Sequence, residues 1–113
     1  MAKVEIVPSL KEEIYKRFKG NSIEILEHLR SLEHSPSKGK SLGHVGGIVV
    51  KELKYEGFRF YFITDSHKIR VFNQEALTDL LIRFVRMSDK KEQQKVIEEI
   101  KHILRTIGPT GFN

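Results

Sequence analysis

Residues 52–62 read ELKYEGFRFYF, and two cations in this stretch raise a chemical question. Read as a strand, a tight turn at Glu56-Gly57 and a second strand, the segment sets Tyr55 opposite Phe58 and Lys54 opposite Arg59. Like charges facing each other across an antiparallel pair destabilise it. Side chains alternate along a strand, so Phe58, Phe60 and Phe62 share the core side, joined by Leu53. Arg59, Tyr61 and Ile63 point the other way, with Lys54, Glu52 and Val50. Lys51 shares the parity of Leu53 but lies further along, where it turns toward the edge. Lys54, Arg59 and Tyr61 then form a cationic and phenolic cluster on an open sheet face. One reading is a solvated face on which Glu52 neutralises one cation. The other is a phosphate site, where cations are held together because an anion lies between them. On an open face, Arg59→Ala leaves the fold as stable as before or slightly more so.

Other basic residues are candidates for the same chemistry. Arg83 and Arg86 lie in RFVRMSDKK. Their spacing puts them on opposite sides of a straight strand, so one at most joins the open face unless the strand ends or bulges between them. Lys38, Lys40, Lys51, Lys90 and Lys91 are candidate contacts to a nucleic-acid backbone, and serve solubility otherwise. Gly39-Lys40-Ser41 invites a P-loop reading, but that motif needs a glycine where His34 stands. The histidines His28, His34, His44, His67 and His102 form no metal-ligand spacing, so no metal site is expected. His44, beside glycines, is the one placed to reach a ligand.

The elements that position these residues follow from periodicity. Val4, Ile6 and Val7 make a short strand stopped by Pro8. Ser9 to Glu12 reads as a capping box opening a helix with Leu10, Ile14 and Phe18 on one face. Asn21 with Glu24 caps a second helix lined by Ile25, Leu29 and Leu32. Residues 34–47 read as a loop rich in Ser, Gly and Lys, a flexible basic rim. Strands follow at Ile48–Tyr55 and Phe58–Thr64, then a turn at Asp65-Ser66-His67. Lys68–Phe72 is a short strand candidate, and Asn73–Asp79 a helical turn or loop. Leu80–Met87 is a strand apolar on both faces. Ser88 caps a last helix from about Lys90 to Ile107, with Val96, Ile97, Ile100, Ile103 and Leu104 as its stripe and Gly108-Pro109 as its stop. The order β-α-α-β-β-β-α predicts a single α+β domain over residues 1–113. In it, helices cover one side of a twisted, mainly antiparallel sheet and the other side stays open.

Composition narrows the class. The 113 residues are 39% hydrophobic and 31% charged, as in ordinary globular proteins rather than disordered ones. A net charge of +5 favours an anionic partner: nucleic acid, an acidic protein or a membrane surface. The chain has no cysteine, which excludes disulfides and cysteine chemistry and fits the cytoplasm. No stretch approaches the roughly 18 apolar residues of a membrane-spanning helix, and the N-terminus lacks the apolar run of a signal peptide.

Four stretches taken in order resemble the RelE/ParE toxin superfamily. VEIVPSLKEEIYKRF is similar to its opening strand and helix, PSKGKSLGHVGG to its variable loop, and VVKELKYEGFRFYF to its central hairpin. LIRFVRMSDKKEQQKVIEEI is similar to the ending of its HigB-like branch. Asn73 to Asp79 reads as an insertion. The resemblance implies the toxin of a type II toxin–antitoxin pair, a ribosome-dependent mRNA endoribonuclease. It would need no metal and no small-molecule cofactor. Its partners would be mRNA, the ribosome and an antitoxin that covers the open face, with no membrane. Lys54 matches the family's basic residue after "EL", Arg59 its arginine opening the next strand, and Arg83 or Arg86 its basic residue near the end of the last strand. With Tyr61, these are the candidate catalytic residues. Lys54 or Tyr61 could act as a base if clustered cations lowered its pKa. The family's C-terminal proton carrier has no counterpart, since Phe112 transfers no proton. That departure keeps a second function open, a non-catalytic binding protein of the same fold, gyrase-inhibitor-like or a degenerate toxin. A generic RNA-binding domain is a third.

Overall fold

The computed structural model describes residues 3–65 and 81–113. Strand β1 (Lys3–Ile6) leads into helix α1 (Pro8–Phe18), a 3-10 turn and helix α2 (Ser22–Arg30). Strands β2 (Lys40–Val45), β3 (Ile48–Tyr55), β4 (Phe58–Asp65) and β5 (Leu81–Ser88) follow, then helix α3 (Gln93–Thr106) and a last 3-10 turn at Pro109–Gly111. The strands form one five-stranded sheet in the order β1-β5-β4-β3-β2. β1 runs parallel to β5, and the other neighbours are antiparallel. The fold is α+β with a mixed sheet. The candidate strand Lys68–Phe72, the segment Asn73–Asp79 and His67 lie outside the described residues.

The hairpin forms as its sequence dictates. Glu56 and Gly57 both take positive φ, 46° and 85°, the pairing that matches the twist of the flanking strands. Register follows from the turn: Tyr55 faces Phe58, Lys54 faces Arg59, Leu53 faces Phe60 and Glu52 faces Tyr61. On the phenylalanine side, Phe18 of α1 meets Phe58 edge-on at 4.9 Å, and Phe62 packs on Phe84 of β5 at 4.9 Å between ring centroids. Leu10, Ile14, Ile25, Leu29 and Leu32 bring the buried stripes of α1 and α2 into this core. Phe60 and Phe62 are fully buried and Phe58 partly. Tyr55 ties the hairpin to α2: its hydroxyl donates to Glu24 Oε1 at 2.7 Å, and its ring lies 4.8 Å from His28.

The opposite side of the sheet is not open. Helix α3 packs across it against β2 and β5, and its buried Ile97, Ile100 and Leu104 join the core that includes Val50 and Ile63. The last turns of chain come back over β5: Phe112 is buried, with the Arg86 guanidinium 5.2 Å from its ring centroid. The expected one-sided sheet is thus corrected to a sheet covered on both faces. The apolar content of Val50, Ile63 and the α3 stripe is the reason, since two complementary apolar surfaces in one short chain bury each other.

Local corrections have equally local causes. The stretch read as a loop contains β2, whose Lys40, Ser41, Gly43, His44 and Val45 pair with β3 across a bulge near Leu42. Pairing with a long neighbour overrides the weak strand propensity of Gly, Ser and Lys. Helix α1 starts at Pro8, with no side-chain cap from Val7. The backbone N–H of Ser9 instead donates to the Asn113 carbonyl at 3.1 Å, as does its hydroxyl. Asn21 makes no side-chain cap for α2. Ser88 belongs to β5, and the turn before α3 is held by Asp89 Oδ1 accepting from the Glu92 N–H at 2.9 Å.

Two expected outcomes follow. A Cβ at Gly39, where φ is +102°, would stand 2.9 Å from the Phe62 ring and 3.1 Å from the Glu52 carbonyl oxygen. Gly39→Ala should therefore cost about 1–3 kcal/mol in denaturant titration, whereas an unchanged midpoint would mean that this approach is looser than described. The Glu24 hydrogen bond, aided by burial and by the charges of Glu24 and Glu56, raises the Tyr55 pKa from 10.0 to about 12. A raised folded-state pKa contributes stability that is complete below pH 10 and lost as pH climbs through the folded value near 12. The Tm gap between wild type and Tyr55→Phe should hold steady below pH 10 and narrow above it; a gap that widens with alkali would contradict this bond.

Candidate functional site

Strand pairing brings the chemistry-bearing residues into two adjacent rows on the α3 side of the sheet. Residues paired across neighbouring strands share a face. Lys40 pairs with Glu52, Glu52 with Tyr61, and Tyr61 with Arg86, which makes one row across β2, β3, β4 and β5. Lys54, Arg59 and Ser88 make the next row, nearer the hairpin turn. A register shift between Tyr61 and Phe62 inserts Val85 as an unpaired residue in β5. That bulge puts Arg86 opposite Tyr61 and Arg83 opposite Ile63. Both arginines therefore lie on the same side, where a straight strand would have separated them.

The cluster is closed rather than exposed. Tyr61 is 0% exposed, Glu52 1% and Arg59 9%. The Tyr61 hydroxyl and Ser88 Oγ are hydrogen-bonded at 2.7 Å. Arg59 Nη1 donates to the Gly57 carbonyl at 3.3 Å, while its Nε is buried without a partner among the described residues. Glu52 Oε2 accepts a long bond, 3.5 Å, from the Gln93 side chain in the first turn of α3. Glu52 Oε1 is buried and unpartnered among the described residues. A carboxylate and a guanidinium held in this way are strong electrostatic elements, because little water screens them. Burial raises the Tyr61 pKa, as do the nearby Glu52 and Asp89, while the Ser88 bond and Arg59 pull it down. This direction is opposite to the lowering that a base role for Tyr61 would need, because desolvation outweighs the cations. Glu52, read from sequence only as a neutraliser of one cation, is the carboxylate buried within the cluster. Its signal was present: a lone acidic residue on the same side of the hairpin as Lys54 and Arg59.

The remaining candidates are dispersed. Lys54 is exposed at the mouth of the cluster, directly across from Arg59. Arg83 is bound by Glu5 at 3.0 Å and donates to the Pro109 carbonyl at 3.3 Å. Arg86 is bound by Glu99 at 3.0 Å and by the Val85 carbonyl at 2.8 Å, with its plane against Phe112. Both arginines thus fasten the last helix and tail to the sheet. Lys51 lies on the opposite side, its Nζ 5.8 Å from the Phe62 ring centroid and 3.4 Å from the Ser37 carbonyl, and burial lowers its pKa. Lys38 and Lys40 are exposed on the approach to β2 and at its start, and Lys90 and Lys91 in the turn after β5. His44 is exposed on β2 opposite Val49, away from the cluster. Among the described residues, no group of three or more His, Asp or Glu side chains is gathered to hold a metal, and no helix is long and apolar enough to cross a membrane.

Burial reverses the sequence expectation for Arg59. Truncation removes a buried cation in the row next to a buried carboxylate and leaves space in its place. Arg59→Ala should cost about 1–3 kcal/mol. Lys54→Ala, at an exposed position, should stay within about 0.5 kcal/mol of wild type. Equilibrium denaturation of the two variants side by side checks this; equal stability for both would mean that Arg59 holds nothing in place.

Comparison with known proteins finds no matching family model, no similar curated protein and no similar solved structure, so the arrangement of Lys54, Arg59, Glu52, Tyr61 and Ser88 carries the functional reading by itself.

Proposed function

We propose that this protein is a RelE/ParE-like toxin of a type II toxin–antitoxin pair and cleaves mRNA on the ribosome without a metal. The observation that carries the reading is the pair Lys54 and Arg59, held opposite each other beside a buried carboxylate on a rigid sheet. Two cations in that position repel each other in the free protein, and a bridging phosphate turns the repulsion into a clamp. RNA supplies its own nucleophile. The 2′-oxygen forms a bond to the adjacent phosphorus while the bond from phosphorus to the 5′-oxygen breaks, leaving a cyclic phosphate. Glu52 takes the proton of the 2′-hydroxyl, and the Lys54 ammonium supplies one to the departing 5′-oxygen. The Arg59 fork stabilises charge on the phosphorane-like transition state. For substrate to reach Glu52, the first turn of α3 swings aside. The side-chain bond holding that turn to the cluster, Gln93 to Glu52, is long.

The burial of Tyr61 and Glu52 favours a second reading, a non-catalytic protein of the same fold that binds a partner through its basic surface. Purified protein added to translating ribosomes separates the two. The nuclease reading expects cleavage of translated mRNA and a drop of roughly 10²-fold for Arg59→Lys, which keeps the charge but loses the fork. Glu52→Gln should lower the rate as well, because an amide accepts no proton from the 2′-hydroxyl. Wild-type protein that leaves mRNA intact on translating ribosomes would establish the binding reading instead.

A further inference from the structure

We propose that the segment Pro109–Asn113 is an exchangeable arm, which docks on its own chain or, reciprocally, on a second copy. Most of what holds the arm lies far from it in the sequence. The N–H and hydroxyl of Ser9 donate to the Asn113 carbonyl, and Arg83 Nη1 donates to the Pro109 carbonyl at 3.3 Å. Phe112 is buried, with the Arg86 guanidinium over its ring. Gly111 packs against Ile103 of α3, where an added Cβ would stand 2.6 Å from Ile103 Cγ2. A second copy offers each of these contacts unchanged, which is what makes exchange of an identical element a low-cost route to a dimer. The connection Ile107-Gly108-Pro109 alone decides whose site the arm fills.

That connection is balanced between two shapes. Gly108 has φ 104° and ψ −171°, in a region essentially closed to residues with a side chain. A proline follows, and proline drives the residue before it toward extended backbone with negative φ. A Cβ at Gly108 would meet nothing within 4 Å, so what the glycine supplies is conformation and not space. The fold-back therefore hangs on one glycine that opposes the preference of its own neighbour. With residue 108 extended, the arm leads away from its own β5 and finds the same site on another molecule. Short hinges under strain invite this exchange. Ile107, beside the hinge, is 66% exposed, an apolar side chain placed where two exchanging chains cross. In the exchanged pair, Phe112 of one copy lies on Arg86 of the other, at the end of the row formed with Tyr61, Glu52 and Lys40. Exchange needs neither RNA nor a ribosome and so stands apart from the nuclease reading.

The chain has no cysteine, so Ser9→Cys with Asn113→Cys sets a single thiol pair at the docking point. After oxidation, a disulfide within one chain marks a folded-back arm and a disulfide between chains an exchanged one. Non-reducing electrophoresis separates the two, and sedimentation gives the mass. A folded-back arm faces its site at an effective concentration on the order of millimolar, so dilute protein should link within chains and protein refolded at roughly millimolar concentration between them. Gly108→Ala, which strains the fold-back, should lower the concentration needed for half exchange by about tenfold or more. Links within chains alone at the high concentration, in both backgrounds, would overturn the proposal. So would dimers of Gly108→Ala that carry only such links, since another surface would then hold them together. The Ser9 N–H has no partner within α1, and its hydrogen exchange reports the arm directly. A monomeric Gly108→Ala protein with that amide unprotected would show an arm that detaches without passing to a second copy, and is the third overturning result. Circular dichroism checks folding; where Gly108→Ala fails to fold, the cysteine pair in the otherwise unchanged chain decides alone.

Discussion

The Glu56-Gly57 turn sets the register between β3 and β4, and both faces of the sheet depend on that register. A slip by one residue would send Phe58, Phe60 and Phe62 under α3 and Arg59 and Tyr61 under α1 and α2. Two positive φ values in succession allow few other conformations, so the turn leaves little freedom to slip. From this fixed pairing, the phenylalanine side recruits α1 and α2, and the side bearing Val50 and Ile63 recruits α3. The Val85 bulge then realigns β5, so that Arg83 and Arg86 come to the side where the last helix and tail need anchoring. Their partners, Glu5, Glu99, the Pro109 carbonyl and Phe112, fasten opposite ends of the chain to one strand.

Closure by α3 has an electrostatic consequence. Its apolar stripe seals the middle of the sheet, and Gln93 in its first turn reaches the polar row at Glu52. Glu52 and Arg59 are therefore taken out of water without direct contact between them. A buried carboxylate is tolerable only where neighbouring dipoles and cations offset its desolvation. The first turn of α3 supplies part of that offset: Gln93 donates to Glu52, and the positive end of the helix lies nearby. Arg59 in the adjacent row supplies more, as does Lys40 across β2. Glu52 Oε1 and Arg59 Nε, without a partner among the described residues, mark what remains uncompensated there.

Much of this was legible in ELKYEGFRFYF: the turn type, the register, the facing of Lys54 and Arg59 and the core role of the phenylalanines all follow from alternation and turn chemistry. The second layer was not, although Val50, Ile63 and the apolar stripe of the last helix were in view. Periodicity shows that a helix has an apolar side but not which sheet face that side meets. Strand β2 was hidden because its residues prefer loops, and only the neighbouring β3 makes a strand of them. The joint facing of Arg83 and Arg86 depends on one bulged residue, which residue type alone does not mark. The capping residues misled for a simpler reason. Ser9 is satisfied by Asn113 at the far end of the chain, a contact that no local motif encodes.

Charge distribution links the covered cluster to the surface. The middle of the sheet is apolar on both sides, and its polar residues on the α3 side gather near the hairpin turn and β2. Exposed Lys54 and Lys40 stand at two ends of this polar region, with buried Glu52 and Arg59 between them. In the proposed reaction, an anion arriving from solvent would meet a lysine first and the guanidinium only after α3 yields. That order separates attraction from chemistry: long-range steering belongs to flexible lysines, and the geometry that discriminates between ligands belongs to the rigid interior. Any partner that engages Lys40 therefore acts on the potential felt by Glu52 without touching it, through a single pair of strands.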